Sequence, residues 1–145
     1  MIAGVDTYDI LAGLPKWDFA ELLDANRVFV IGNGGSYANA IHIANDLISV
    51  GVDASTLDPA TLTAIANDYG YEEIFSRWLG LAGTPDDLLI ALSGSGTSPN
   101  ILRAIAKAEN IGMRVWRVFG SGDMQKDEEQ QICLGHRAMR WLKNR

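Results

Sequence analysis

Cysteine is nearly absent from this chain of 145 residues, where Cys133 is the only one. A single thiol excludes an internal disulfide framework and a zinc centre built from cysteines. No apolar run approaches the roughly 20 residues that a membrane-spanning helix needs. The amino terminus also lacks the basic and apolar regions of a signal peptide. We therefore expect a cytoplasmic protein with no membrane partner.

Basic side chains are scarce in the first 100 residues, which hold 3 of them against 13 acidic ones. Residues 101–145 reverse the balance, with 9 basic and 5 acidic side chains. The net charge of -6 argues against nucleic acid as a partner, because a nucleic-acid surface needs a basic stripe. The basic tail is typical of the solvated surface of a carboxyl-terminal helix, whose dipole favours positive charge at that end.

Short apolar strands alternate with helices along most of the chain. Strands are predicted over residues 27–31, 52–57 (weakly), 88–92 and 114–119. Helices are predicted over residues 17–25, 36–50, 58–66, 71–81, 98–110 and 128–143. This alternation predicts an α/β fold, a doubly wound three-layer sandwich in which helices flank a parallel sheet on both faces. A chain of this length is expected to form one domain.

Two of the predicted strands run directly into loops of glycine and serine. Residues 32–36 read Gly-Asn-Gly-Gly-Ser, and residues 93–98 read Ser-Gly-Ser-Gly-Thr-Ser. A loop of this kind before a helix favours an anion, because the first-turn N–H groups are unpaired and the helix dipole attracts negative charge. Either loop alone is equally typical of an ordinary strand-to-helix turn. Together they indicate a phosphorylated small molecule at the carboxyl edge of the sheet.

The chain has two histidines, and each shares a predicted helix face with a carboxylate. His42 and Asp46 are four residues apart, whereas Glu128 and His136 are eight apart, or roughly two helical turns. The helix over residues 36–50 is expected to bury the opposite face, which consists of Ala40, Ile41, Ala44, Leu47 and Ile48. The spacing alone fits surface ion pairs as well as a zinc or general acid/base set.

Three segments together resemble the sugar isomerase (SIS) domain family, and within it the phosphoheptose isomerases. They are residues 32–36, residues 62–71 (Leu-Thr-Ala-Ile-Ala-Asn-Asp-Tyr-Gly-Tyr) and residues 92–100 (Leu-Ser-Gly-Ser-Gly-Thr-Ser-Pro-Asn). Glycine-rich loops are common, but the middle segment is specific to this family. The resemblance implies one flavodoxin-like SIS domain over residues 1–145, with a shortened helical segment at 1–26, a core at 27–119 and a terminal helix at about 128–143.

The family converts sedoheptulose 7-phosphate to D-glycero-D-manno-heptose 7-phosphate for lipopolysaccharide heptose, and the resemblance implies a role for each matching residue. Asp46 and His136 match the catalytic residues. The zinc ligands would be His42, Asp46, Glu128 and His136. Substrate and phosphate would contact Asn33, Gly34, Ser36, Asn67, Asp68, Ser93, Ser95 and Ser98. The resemblance also implies a homo-oligomer, a dimer or a tetramer, with active sites at the subunit interfaces.

The chain departs from the family pattern in several places. Asp46 stands where the family has the longer glutamate, and Glu128 where it usually has glutamine. An arginine expected after the first long helix is missing from residues 48–51, and a further strand is missing between residues 119 and 128. The acidic residue expected before the terminal helix has two candidates, Asp123 and Asp127.

These departures motivate an alternative, a non-catalytic SIS module that binds a sugar phosphate or a protein partner. A dinucleotide-binding fold is a weaker alternative, because Tyr37 stands where that fingerprint needs its third glycine. A P-loop is excluded, because the chain has no Gly-Lys-Ser/Thr sequence.

Overall fold

The computed structural model describes residues 17–145, in which four strands form one parallel sheet. The strands are β1 (Val28–Ile31), β2 (Ala54–Ser55), β3 (Leu88–Ser93) and β4 (Arg114–Phe119), in the order β2-β1-β3-β4. The helices of this region are α1 (Glu21–Asp24), α2 (Gly35–Ser49), α3 (Pro59–Tyr69), α4 (Ile74–Ala82), α5 (Pro99–Ile111) and α6 (Met124–Lys143). A 3-10 turn, Tyr71–Glu73, joins α3 to α4. The predicted α/β fold is confirmed.

Helices cover both faces of the sheet and create two cores. On one face α1, α2 and α6 pack against the strands, and on the other face α3, α4 and α5 do so. All residues of β1 and β3 are buried, as expected for central strands of a parallel sheet. The carboxyl ends of these two neighbouring strands therefore meet at one edge, where α2 and α5 begin.

Helices α1 and α3 differ in extent from the prediction. Over residues 17–25 only Glu21–Asp24 is helical, because Phe19 and Ala20 form a turn before it. A break is predicted over residues 67–70, but α3 continues to Tyr69, so the break comes only at Gly70. There Gly70 adopts a φ of 101°, which ends the helix.

The terminal helix starts earlier than predicted. It begins at Met124 because the Asp123 carboxylate accepts a hydrogen bond from the Lys126 N–H and caps the helix. Residues 120–123 are all that separates β4 from α6, and no further strand lies beside β4 in the described residues. The start of α6 therefore lies close to the carboxyl edge of the sheet. None of the helices between residues 17 and 145 is long and apolar enough to cross a membrane.

The buried face of α2 is rotated from the predicted one. Ile41 and Ile48, predicted to face the core, are 46% and 55% exposed, whereas Ile43 is buried. The reason is that α6 packs alongside α2. Gly135 of α6 lies so close to Ile43 that an added Cβ would stand 2.7 Å from its Cγ1. Packing against a second helix, as well as against the sheet, selects the buried face.

Candidate active site

The two glycine and serine loops meet at the carboxyl edge of the sheet and enclose a cavity of about 370 Å³. One loop follows β1, the other follows β3, and the amino-terminal part of α6 completes the wall. The lining residues are Asn33, Gly34, Gly35, Ser36, Leu92, Ser93, Gly94, Ser95, Ser98, Gly122, Met124, Asp127 and Glu128.

The serines of the second loop are held by hydrogen bonds to their oxygens. Ser93 is 4% exposed, and its Oγ accepts a hydrogen bond of 3.0 Å from the Gly96 N–H. The Ser95 Oγ accepts one of 3.2 Å from the Thr97 N–H. Because both oxygens accept, both hydroxyl hydrogens remain available as donors. Ser98 precedes the first turn of α5 and makes no side-chain capping bond, so the loop presents hydroxyl donors beside a helix amino terminus.

The first loop is tied to the second by a pair of side-chain amides. The Asn33 Nδ2 donates to the Asn100 Oδ1, and the Asn100 Nδ2 donates back to the Asn33 Oδ1, both at 2.8 Å. The Tyr71 hydroxyl also donates to the Asn33 Oδ1, at 3.0 Å. Asn100 is 2% exposed, so this pair is largely shielded from water. These bonds fix the spacing of the two loops.

Two carboxylates of α6 lie at the cavity in different roles. Asp127 is 2% exposed and accepts hydrogen bonds from the Ser121 N–H and hydroxyl and from the Gly122 N–H, at 2.8 to 3.0 Å. It therefore holds the connection between β4 and α6. The Glu128 side chain lies over Gly35, where an added Cβ would stand 2.2 Å from its Oε1. Glu128 is the acidic side chain that borders the first loop.

Buried amide contacts join α6 to α2 beyond the cavity. The Gln131 Nε2 donates to the Ser36 Oγ at 3.0 Å, and its Oε1 accepts from the Asn39 Nδ2 at 2.9 Å. The Asn39 Nδ2 also donates to the Glu128 backbone oxygen at 2.9 Å. Because Gln131 is 2% exposed, these bonds fix how the two helices are aligned.

Farther along the same two helices, His42, Asp46 and His136 form a cluster whose ligand atoms all lie within 4.8 Å of one another. The two Nε2 atoms are 3.2 Å apart. The Asp46 Oδ2 lies 3.1 Å from the Nε2 of His42 and 3.6 Å from that of His136. The imidazoles are about half exposed, whereas Asp46 is 14% exposed. Two nitrogens and one carboxylate oxygen at these distances could hold a metal ion.

The cluster requires that α6 approach α2 closely. Gly135, which precedes His136, is the residue that lies against Ile43. A side chain at position 135 would move α6 outward and carry His136 with it. The same approach leaves the Asp46 Oδ2 buried without a well-aligned hydrogen bond, although two imidazole nitrogens are near. An oriented carboxylate without a bonded proton donor fits a cation.

The predicted site residues separate into three groups: those that line the cavity, the cluster of His42, Asp46 and His136, and the exposed pair Asn67 and Asp68. Six predicted ligand contacts line the one cavity: Asn33, Gly34, Ser36, Ser93, Ser95 and Ser98. Glu128 lies at the cavity as well and is outside the group of His42, Asp46 and His136. Asn67 and Asp68 are exposed on α3, bond to each other at 3.0 Å and do not line the cavity.

Sequence reasoning missed three residues that shape the site, Tyr71, Asn100 and Gln131. Tyr71 and Asn100 end two of the segments that resemble the family, so their position was visible in the sequence although their partners were not. Gln131 carries no local signal, because its role depends on the packing of α6 against α2.

The phenol of Tyr37 secures the first turn of α2 from the other side. Its hydroxyl donates to the Leu57 carbonyl. Burial raises the pKa of Tyr37 above its ordinary value, and the nearby Asp58 carboxylate raises it further. The phenol therefore stays protonated and remains a donor at neutral pH. Asp58 itself caps α3, and hydrogen bonds from the Thr61 hydroxyl and N–H lower the pKa of its carboxyl.

The chain is similar to known proteins in both sequence and fold. The family model described as SIS domain matches residues 18–120. The phosphoheptose isomerase of Akkermansia muciniphila is 39% identical over 117 residues, which are 75% of this chain and 62% of that protein. The phosphoheptose isomerase of Bordetella avium is 36% identical over 145 residues, which are 90% of this chain and 73% of that protein.

Solved structures agree with these sequence relatives. A phosphoheptose isomerase from Francisella tularensis superposes with a TM-score of 0.82 at 25% identity, over 88% of this chain and 83% of that one. The phosphoheptose isomerase from Neisseria gonorrhoeae superposes with a TM-score of 0.80 at 27% identity, over 88% of this chain and 81% of that one. The chain therefore belongs to the SIS domain family. The relatives and structures named here are all phosphoheptose isomerases.

Proposed function

We propose that this protein is a ketose–aldose isomerase that converts sedoheptulose 7-phosphate to D-glycero-D-manno-heptose 7-phosphate. The observation that carries the proposal is the contact between α2 and α6. One end of this contact borders the cavity of the glycine and serine loops, and the other end holds the His–Asp–His cluster. The names of the sequence relatives and of the superposed structures support the same reaction.

The distance between the two ends suits a long sugar phosphate. His42 follows Gly35 by seven residues, which places it about 10 Å farther along α2 at the usual helical rise. An extended chain from the carbonyl carbon of a seven-carbon ketose to its phosphorus spans about 9 Å by ordinary covalent geometry. With the phosphate in the cavity that Gly35 borders, the reacting carbons would lie near the cluster.

At the reacting end, the isomerisation moves a proton between C1 and C2 through an enediol. Asp46 would take the proton from carbon, and its burial and close imidazole neighbours hold its carboxylate in one place. His136 would move the proton between the two oxygens, the general acid and base role that histidine takes most often. Binding of the phosphate would place the reacting carbons against these groups.

We propose that zinc is the metal held by His42, Asp46 and His136, where it would supply a Lewis acid for the substrate carbonyl. Two nitrogens and one oxygen are a donor set that zinc accepts, with a position left open for substrate. Glu128, the fourth ligand that the resemblance implies, lies over Gly35 instead, so we assign it to the substrate cavity. A carboxylate there would accept hydrogen bonds from sugar hydroxyls.

We also propose a homo-oligomer, a dimer or a tetramer, in which a second subunit covers the cluster. His42 and His136 are half exposed. Ile41 and Ile48 expose apolar surface on α2, the helix that carries His42. Light scattering at micromolar concentration would measure the mass of the assembly. A monomer mass would contradict this part of the proposal.

The direct test is product formation from sedoheptulose 7-phosphate by the purified protein, before and after chelation and after zinc is restored. We expect isomerisation that chelator removes and zinc returns. Absence of product in every condition would contradict the proposal.

A non-catalytic SIS module remains the second candidate, and the short Asp46 side chain is the observation that favours it. Such a module would bind the sugar phosphate without turnover. Metal analysis of protein never exposed to chelator separates the two, because only the isomerase needs the ion.

A further inference from the structure

The carboxamide of Asn33 has three hydrogen bonds to protein side chains. Its Oδ1 accepts from the Asn100 Nδ2 and from the Tyr71 hydroxyl, and its Nδ2 donates to the Asn100 Oδ1. A side-chain amide offers two N–H donors and two acceptor positions on its oxygen. The oxygen is therefore fully occupied, and one N–H of Asn33 is left without a protein acceptor among the described residues.

The reciprocal pair with Asn100 does not by itself decide which way the Asn33 amide points. If both amides rotated by half a turn, the same two hydrogen bonds would form again with oxygen and nitrogen exchanged. Tyr71 removes this equivalence, because a phenol donates a hydrogen bond more readily than it accepts one. Its hydroxyl favours the orientation in which the Asn33 oxygen faces Tyr71 and the nitrogen does not.

This orientation matters because Asn33 lines the ligand cavity. With its oxygen taken up by Tyr71 and Asn100, Asn33 can offer the cavity only a donor. A ligand oxygen, a sugar carbonyl or hydroxyl, is the group that such a donor would bind. The opposite orientation would instead turn the second acceptor position of the Asn33 oxygen toward the cavity, where it would repel a carbonyl or phosphate oxygen and could bind only a hydroxyl hydrogen.

We infer that Tyr71 and Asn100 are positioning residues, which set the Asn33 amide as a hydrogen-bond donor to an oxygen of the bound sugar phosphate. This inference rests on the proposed function for the identity of the ligand. It also gives the family-specific segment at residues 62–71 a physical link to the cavity. The link is made by Tyr71, while Asn67 and Asp68 lie away from the cavity.

The test compares Tyr71→Phe with Tyr69→Phe. Both tyrosines are more than half exposed, so neither change should affect folding, but the Tyr69 hydroxyl contacts Arg77 rather than Asn33. We expect Tyr71→Phe to weaken binding of sedoheptulose 7-phosphate about three- to tenfold, the usual effect of one lost neutral hydrogen bond. Tyr69→Phe should bind like the parent protein.

A double-mutant cycle separates positioning from a general structural role. If Tyr71 acts through Asn33, Tyr71→Phe should have no further effect on binding once Asn33→Ala is present. Additive effects of the two changes, or unchanged binding in Tyr71→Phe, would overturn the inference.

The side-chain amide signals of Asn33 in NMR spectra of the unliganded protein give a readout that needs no ligand. We expect them to shift in Tyr71→Phe and to stay in place in Tyr69→Phe. Unchanged signals in Tyr71→Phe would overturn the inference. If the parent protein does not bind sedoheptulose 7-phosphate, the proposed function is wrong, and the amide signals alone decide whether Tyr71 orients Asn33.

Discussion

The two ends of the candidate site are built in different ways. The cavity comes from two loops that follow neighbouring strands of the sheet, and Ser93 and Ser95 of the second loop are bonded within that loop. The cluster joins His42 to His136, 94 positions apart in the chain. It exists only because one helix packs closely on another. A loop motif therefore carries its own geometry, whereas the cluster depends on the fit of a distant helix.

Burial follows the same division. Ser36 and Ser93 of the cavity are 7% and 4% exposed, while the side chains of His42 and His136 are 50% and 46% exposed. Burial and hydrogen bonds preorganise Ser36 and Ser93, although Ser95 is exposed, and the half-exposed imidazoles on the helix surfaces have more freedom. Changes at one end should therefore leave the other end intact, and the first three of the four predictions that follow test this independence.

The largest effect should come from removing the acid or the base at the cluster. We expect Asp46→Asn and His136→Ala each to lower turnover of sedoheptulose 7-phosphate by at least about 100-fold, because general acid–base groups contribute this much or more. Binding of the sugar phosphate, measured by calorimetry, should persist. Asp46→Glu keeps the carboxylate and should retain turnover. Full activity in Asp46→Asn would refute the assignment.

The next effect should come from the cavity. Ser95→Ala combined with Ser98→Ala should abolish the thermal stabilisation that sugar phosphates give, which at 100-fold excess over Kd is about 2.7 kcal/mol. The melting temperature without ligand should be nearly unchanged, since neither hydroxyl is buried. Metal content should also stay as in the parent. Equal stabilisation of the variant and the parent would place the phosphate elsewhere.

A change at Gly135 tests whether helix packing sets the cluster. Gly135→Ala should cost about 1–3 kcal/mol of stability, as overpacking does, and should weaken metal binding although no ligand is replaced. Gly80→Ala in α4 is the matched control, because a Cβ there would meet only Lys107 at an ordinary 3.7 Å. Equal metal affinity in Gly135→Ala and Gly80→Ala would show that the cluster does not depend on this contact.

The smallest effect belongs to a residue outside both ends, Asp58, which caps α3. Its pKa is lower in the folded protein than the ordinary 3.8, so its ionised form stabilises the fold at neutral pH. This contribution is present above the unfolded pKa and is lost as the pH falls through the folded value. Asp58→Asn should be slightly less stable than the parent at pH 7 and equal to it at strongly acidic pH. A difference in melting temperature between the parent and Asp58→Asn that persists at strongly acidic pH would contradict this prediction.

Local patterns in the sequence were sufficient to predict the loops. Glycine, serine and the start of α5 at Pro99 lie within a few residues of one another, so residues 32–36 and 93–98 could be predicted as neighbours at the sheet edge. The strands and most helices followed from apolar periodicity. These features need little information beyond the segment itself.

The bounds of α1, α3 and α6 differ for local reasons, whereas the other differences involve packing between distant segments. Packing of α2 against the sheet alone predicts that Ile41 and Ile48 are buried, whereas the added contact with α6 buries Ile43 instead. Glu128 and His136 are two helical turns apart on α6. The structure shows that these two turns span the distance from the cavity to the cluster. Gln131 had no signal, since its partners lie on α2.

The Asn33–Gly34 sequence makes the site subject to a slow chemical change, the deamidation of Asn33. In an Asn–Gly sequence the glycine nitrogen, unshielded by a Cβ on its own residue, attacks the asparagine carboxamide carbon and ammonia leaves. Water then opens the resulting cyclic imide to aspartate or isoaspartate. The reaction requires the carboxamide to rotate freely, which the bonds from Asn100 and Tyr71 oppose. Its product would put a carboxylate on the wall of the cavity proposed to bind the sugar phosphate. Loosening this amide pair would therefore shorten the time over which stored protein keeps its affinity for an anionic ligand.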